Sequence, residues 1–186
     1  MTRFTLICLC LFALQTGESF AQSHLTRRKI NADVSVKLPQ ELQVMQPEDI
    51  AQRYPSVRTP LGAFTNTDRV VDFSVNVSAT QWPDRNVDIA KGFFRASILN
   101  MFDRVQILRE GFHEIKHKRF IFFEFTSRMN AGRGDAGSRD PLSRYTYIMY
   151  WLEPGRSLVF TLTCTTDIQD RWQPVAETIM KSVRVR

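Results

Sequence analysis

Cysteine is scarce in this 186-residue chain: Cys8, Cys10 and Cys164 are all there are. The first two lie in an apolar run from Phe4 to Leu14. Preceded by Arg3 and followed by Ser19-Phe20-Ala21, that run reads as a signal peptide cut after Ala21, so that the mature chain starts at Gln22. It is too short to span a bilayer. Neither cysteine has the small-residue setting that lipid modification requires. Processing leaves Cys164 alone, which excludes an intramolecular disulfide. Cys164 closes the run Leu158-Val159-Phe160-Thr161-Leu162-Thr163-Cys164, a buried-strand pattern in which a thiol acts as a small core hydrophobe. A reactive thiol would need a cationic, accessible setting, and none is visible around it.

Other absences narrow the function. No apolar run after the leader is long enough for a membrane span. There are no internal repeats and no Ser-His-Asp arrangement, and Ser74, Ser78 and Ser97 lack a strand-to-helix elbow. The net charge of +6 survives processing, because Arg3 and Glu18 leave together. Yet the cations are scattered among carboxylates, and the one dense run is Arg27-Arg28-Lys29. A nucleic-acid binder shows a stronger basic stripe. The charge points instead to an acidic partner.

What is present is one domain's worth of alternating and helical pattern in about 165 residues. Residues 1–21 are the leader, 22–32 an N-terminal extension and 33–186 the domain. Val34 to Leu38 alternates and ends at Pro39. Leu61 to Thr65 and Val70 to Ser78 are strands, the second with Val71, Phe73, Val75 and Val77 on one face. Val105 to Arg109, Phe112 to Lys116 and Phe120 to Thr126 follow. Phe120, Phe122, Phe123 and Phe125 are expected to pack against helices that cover the sheet. Tyr145 to Leu152 is apolar on both faces, so it is expected to be central and covered on both sides. Pro154-Gly155 then turns it into Ser157 to Thr165.

Three helices are expected. Pro47-Glu48-Asp49 opens the first, with its acids at the positive end of the helix dipole. The second runs from about Asp88 to Phe102, with Ala90, Phe94 and Ile98 at helical spacing. The third starts near Asp167 or Asp170, either of which could cap it. It carries Ile168, Trp172, Val175 and Ile179 on one face. Val183 to Val185 adds a last edge strand. The result is an α+β fold with an antiparallel sheet covered by helices.

Certain stretches carry a likeness: Val34 to Pro39, Val70 to Ser78 followed by Trp82, and the helix Ile89 to Phe102. The ending is also similar, from Leu158 to Cys164 through a helix with Trp172 and Pro174 to Ile179-Met180-Lys181-Ser182-Val183-Arg184-Val185. Over Asp33 to Arg186 the pattern resembles the PsbP-like and Mog-like family. That resemblance implies an α/β/α sandwich and a binding or assembly role. It supplies no shared catalytic residue and no cofactor.

Two motifs compete with that expectation. His113-Glu114-Ile115-Lys116-His117 matches the zinc-hydrolase pattern, in which Glu114 would activate water between two ligands, His113 and His117. The pattern needs a helix, and its surroundings here are β. On a strand the two histidines would lie about 13 Å apart at ~3.3 Å per residue, too far to share one metal unless a bend between them brought them closer. Gly132-Arg133-Gly134-Asp135-Ala136-Gly137 matches the dinucleotide fingerprint, but it leads to Asp140-Pro141 and a strand rather than to a helix. It also contains Arg-Gly-Asp, a tripeptide that arises often by chance. Asn76-Val77-Ser78 matches a glycosylation acceptor, but it lies mid-strand.

The expected function is therefore an exported, non-enzymatic binding or assembly factor, secreted or periplasmic. Its expected partner is another envelope or secreted protein with an acidic surface. The alternatives are the zinc hydrolase and a small-ligand carrier with a pocket between sheet and helix. The expected partner site is the loop Met129 to Ser143, with Arg133 and Arg139 inside it and Arg128 and Arg144 at its edges. Three glycines there leave little to bury, and a solvated insertion is the plain alternative.

Overall fold

The computed structural model describes residues 24–54, 58–78, 80, 82, 86–129 and 142–186. The expected leader and most of the expected loop, including Arg133, Arg139 and both glycine-rich motifs, lie outside these residues.

Strands β3 (Gln43–Val44), β4 (Gly62–Thr65), β5 (Val71–Ser78), β6 (Arg104–Ile115), β7 (Lys118–Met129), β8 (Leu142–Glu153) and β9 (Arg156–Thr165) form one antiparallel sheet. Its order is β3-β4-β5-β9-β8-β7-β6. A second, three-stranded sheet joins β1 (Leu25–Lys29), β2 (Val34–Pro39) and β10 (Arg184–Val185), with β2 in the middle. The helices are α1 (Pro47–Arg53), α2 (Val87–Met101) and α3 (Gln169–Lys181).

Side-chain alternation assigns each face of the large sheet to a different core. Phe73, Phe120, Tyr145, Tyr147, Met149 and Phe160 point to one side. There they meet Trp172, Ala176, Ile179 and Met180 of α3, with Val34, Val36 and Leu38 of β2. Ile121, Phe123, Phe125, Tyr150 and Leu152 point to the other side, against Ala90, Phe94 and Ile98 of α2. Phe94 stacks on Tyr150 with centroids 3.9 Å apart. The covering expected for β8 and for the phenylalanines of β7 is therefore present. The layers are α3 with the small sheet, then the large sheet, then α2. The last layer also holds α1, whose Arg53 pairs with Asp72 on that side of β5.

Several local expectations change. The stretch Leu25–Lys29, assigned from sequence to an N-terminal extension, is strand β1, paired with β2 along its whole length. Residues 104–115 form one strand, not two, because a register shift between Ile107 and Arg109 carries the pairing through a bulge. Neither Asp167 nor Asp170 caps α3. A 3-10 turn, Thr166–Ile168, leads into it, and Ile168 takes the cap position without a side-chain bond. The cap of α2 is Asn86, which accepts from the Ile89 backbone at 3.1 Å.

Candidate functional site

The small sheet shows how pairing register builds a charged face. Directly opposed residues of antiparallel strands point to the same side. Arg27 opposes Lys37, Lys29 opposes Ser35, and Arg184 opposes Ser35 from the other edge. These residues share one face. Val34, Val36 and Leu38 take the other and are buried. Burial of the apolar residues of β2 thus turns Arg27, Lys29, Lys37 and Arg184 outward together.

The β6–β7 hairpin adds to this face. Its two-residue turn, Lys116-His117, has φ of 50° and 63°, both in the left-handed region that tight hairpins use. Lys118 donates from Nζ to the Val185 carbonyl at 3.2 Å and lies 4.5 Å over the Trp151 ring. That contact holds β10 against the hairpin and brings Lys116 to the small sheet. The result is a concavity of about 460 Å³ lined by Arg27, Lys29, Lys116, Arg184 and Arg186, with Asp33 as the only acid among the described residues that line it. Five cations against one carboxylate leave an excess of four side-chain charges.

Arg27 anchors the floor. Its Nη1 donates to the Ser182 carbonyl at 2.7 Å and to Ser35 Oγ at 3.5 Å. Desolvation first, then the charge of Arg184, lowers its pKa. Among the described residues, Lys29, Lys37, Lys116 and Arg184 have no carboxylate within ion-pair distance, whereas Arg53, Lys91 and Arg95 each have one and Arg109 has two. An exposed charged face is usually only solvated. Here five cations crowd together around a single acid, Asp33, among the described residues, which favours an anion over water alone.

A second polar cluster lies under α3. Glu124 is fully buried and accepts from Arg109 Nε, from Tyr145 Oη at 3.0 Å and from Gln173 Nε2 at 2.6 Å. Arg109 also reaches Glu177 of α3 at 3.1 Å. Partial desolvation pulls on Arg109, but its bonds to Glu124 and Glu177 hold its pKa above the ordinary value. With partners on β6, β8 and α3, the carboxylate braces helix to sheet.

The two histidines of the zinc-like motif are separated. His113 is on β6, stacked on Phe122 at 4.2 Å, and shares a 2.6 Å hydrogen bond with the Tyr147 hydroxyl. His117 is in the turn, with a side chain 99 % exposed. The expectation of β structure holds, but the turn replaces the straight strand on which the 13 Å spacing was reckoned. Among the described residues no group of three His, Cys, Asp or Glu side chains could hold a metal.

The expected loop-edge arginines diverge as well. Arg128 opposes Ser143 and Arg104, while Arg144 opposes Ser127. Neighbouring residues of β7 point to opposite faces, so Arg128 lies on the α3 side and Arg144 on the α2 side. The basic concavity was missed from sequence except for one signal, the run Arg27-Arg28-Lys29.

No protein-family model and no curated protein sequence matches the chain. Solved structures do. The cyanobacterial PsbP of Synechocystis sp. PCC 6803 superposes with a TM-score of 0.61 at 11 % identity, over 93 % of this chain and 99 % of that one. The fold is that of PsbP. The Ran-binding protein Mog1p of Saccharomyces cerevisiae shares the PsbP fold with this chain at a TM-score of 0.54 and 9 % identity, covering 88 % of this chain and 96 % of its own. LpqN, involved in cell envelope biogenesis of Mycobacterium tuberculosis, follows at 0.51 and 9 %, with 87 % and 91 % covered. At these identities the likeness is one of PsbP-type architecture: strand order, helices and layers. It transfers no residue role.

Proposed function

We propose that this protein is an exported, non-enzymatic binding factor that holds an acidic protein partner on the outer face of β1-β2-β10. The observation that carries the proposal is the set Arg27, Lys29, Lys116 and Arg184 around one concavity with a single acid. Clustered cations steer an anionic surface toward the site and set its orientation, and rim charges act chiefly on the association rate. One protein of the same fold is named for binding Ran, which supports a binding role, and another for a part in cell envelope biogenesis, which supports an envelope setting. The leader supports export, with the mature chain starting at Gln22. Arg128 and Arg144, with Arg133 and Arg139 between them in sequence, are proposed as a separate contact.

Crosslinking in the native envelope, followed by identification of the captured protein, tests the reading. Wild-type protein is expected to capture a partner with an acidic surface, more weakly as salt rises. Lys29→Glu with Arg184→Glu should abolish capture while the fold is kept, since both side chains are exposed. Replacing residues 130–141 with a short Gly-Ser link should leave it intact. Capture that survives the double charge reversal but is lost with the loop would move the site to the arginines at 128–144. Purified protein containing one zinc per chain, lost on His113→Ala, would favour the hydrolase instead.

A further inference from the structure

Helix α2 has an apolar face that packs on the sheet and a second, largely exposed one, on which Phe93 meets the Trp82 ring edge-on at 5.4 Å. Ala90, Phe94 and Ile98 are buried against β7 and β8. On the opposite side Ile89, Phe93 and Leu99 are 64 %, 48 % and 39 % exposed. At 3.6 residues per turn, Ile89, Gly92, Phe93, Ala96, Leu99 and Asn100 fall within about 120° of arc, and no charged residue interrupts them. A surface helix normally carries one apolar stripe and a polar opposite face. Gly92 adds to the anomaly. It sits mid-helix, where glycine is a poor choice, and a Cβ built on it would meet nothing within 4 Å. The monomer gives no steric reason for it.

We propose that this face is the two-fold contact of a weak homodimer, with α2 packed antiparallel on α2 of a second copy. Four of the six positions of the face pair off about position 94, and Phe93 and Asn100 do not. Gly92 and Ala96 lie two residues on either side, and Ile89 and Leu99 lie five. An antiparallel pair centred there sets Gly92 against Ala96 of the other copy and Ile89 against Leu99. Two small residues let the backbones approach, and two large ones close the ends. This self-complementarity is what an isologous contact requires.

The flanking charges agree with it. Asp88 and Arg95 lie on one edge of the stripe, and a two-fold axis at position 94 puts Asp88 of one copy about 8 Å along the axis from Arg95 of the other, at ~1.5 Å per residue. An arginine side chain spans that distance. Arg95 already pairs with Glu110 at 2.9 Å, and Asp88 with Arg119 at 3.5 Å, so neither brings an unbalanced charge to the contact. Elsewhere two copies of a chain with net charge +6 repel, which leaves this uncharged stripe as the place for close approach. The contact runs about 15 Å along each helix and covers well under the roughly 1,600 Å² of a standard complex, so the dimer forms only at high concentration.

Sedimentation equilibrium of the purified protein from about 10 μM to about 1 mM tests this, a range set by the weak affinities of small contacts. The weight-average mass of wild type is expected to rise toward that of two chains. Ala96→Arg and Gly92→Glu, each checked for wild-type circular dichroism and melting, should each weaken association at least tenfold. Mixing the two variants should restore it, because position 92 faces position 96 of the other copy. A wild type that stays monomeric throughout overturns the proposal. So does a dimer that tolerates Ala96→Arg, or two monomeric variants that fail to recover on mixing.

Discussion

The Tyr145 hydroxyl donates to the Glu124 carboxylate at 3.0 Å, in the layer between β7, β8 and α3. Gln173 and Arg109 complete the shell of that carboxylate. A charge taken fully out of water is tolerable only with its partners in place, and removing one side of such a cluster costs far more than the cluster contributes. Glu124→Ala is therefore expected to cost about 3–5 kcal/mol in urea unfolding. Tyr145→Phe should cost about 1–3 kcal/mol, the penalty for one buried acceptor losing a donor. A Glu124→Ala protein within 1 kcal/mol of wild type would show that the brace contributes little, at the ~0.5–1.5 kcal/mol scale of a single net hydrogen bond.

His113 gives the fold a pH dependence. Burial first, and then the charge of Lys181, depresses its pKa; Arg109 acts the same way and Glu177 opposes them. The neutral ring is the form that stacks on Phe122 and bonds Tyr147. Because the folded value lies below the unfolded one of about 6.5, the unfolded chain takes up this proton first as pH falls. The contribution of His113 is thus complete above about 6.5 and is lost as pH falls through the folded value. Melting temperature should decline over that window, and His113→Gln should flatten the decline. An NMR titration placing His113 above 6.5 would contradict this account.

Trp172 carries α3. It is 1 % exposed and packs into the cluster with Ala176 and Ile179. Trp172→Ala is expected to cost about 3–5 kcal/mol, as for other large buried aromatics. A loss under about 1 kcal/mol in chemical denaturation would mean that the site collapses around the missing ring.

Cys164 should be inert in the folded protein. Burial, with a smaller push from Asp167, raises its thiol pKa to about 12. At neutral pH the thiolate, which is the nucleophile, is essentially absent. A thiol reagent should leave native protein unlabelled and label one site per chain in denaturant, once any leader has been removed. Rapid labelling without denaturant would mean that β9 opens locally.

Wherever burial imposes a period, the sequence was readable. Val71, Phe73 and Val75 alternate because one face of β5 meets the core. Ala90, Phe94 and Ile98 recur at helical spacing because one face of α2 does. The two-sided apolar pattern of Tyr145 to Leu152 marked the covered strand β8. Pattern failed where pairing, not burial, makes the element. Leu25–Lys29 is mostly polar and charged, and it is a strand because β2 offers it a full ladder. Arg109-Glu110-Gly111 looks like a break between two strands, yet the bulged pairing with β7 runs through it. The cap of α3 was misplaced for a related reason: a helix end depends on where the preceding chain enters, and several nearby polar residues could serve.

The residues of the basic concavity lie at 27, 29, 116, 184 and 186, so no linear motif records them. Hydrophobic periodicity by itself determined the three helices, most of the strands and the two-sided core, because apolar burial acts on side chains a few positions apart. Only the tertiary structure decided which cations meet and that a tight turn, not a straight strand, lies between His113 and His117. It also decided that Glu124 is enclosed and that α2 keeps an apolar face to solvent. Those outcomes depend on strand register and on the packing of one layer against another, which join positions more than a hundred residues apart and leave no local pattern in the chain.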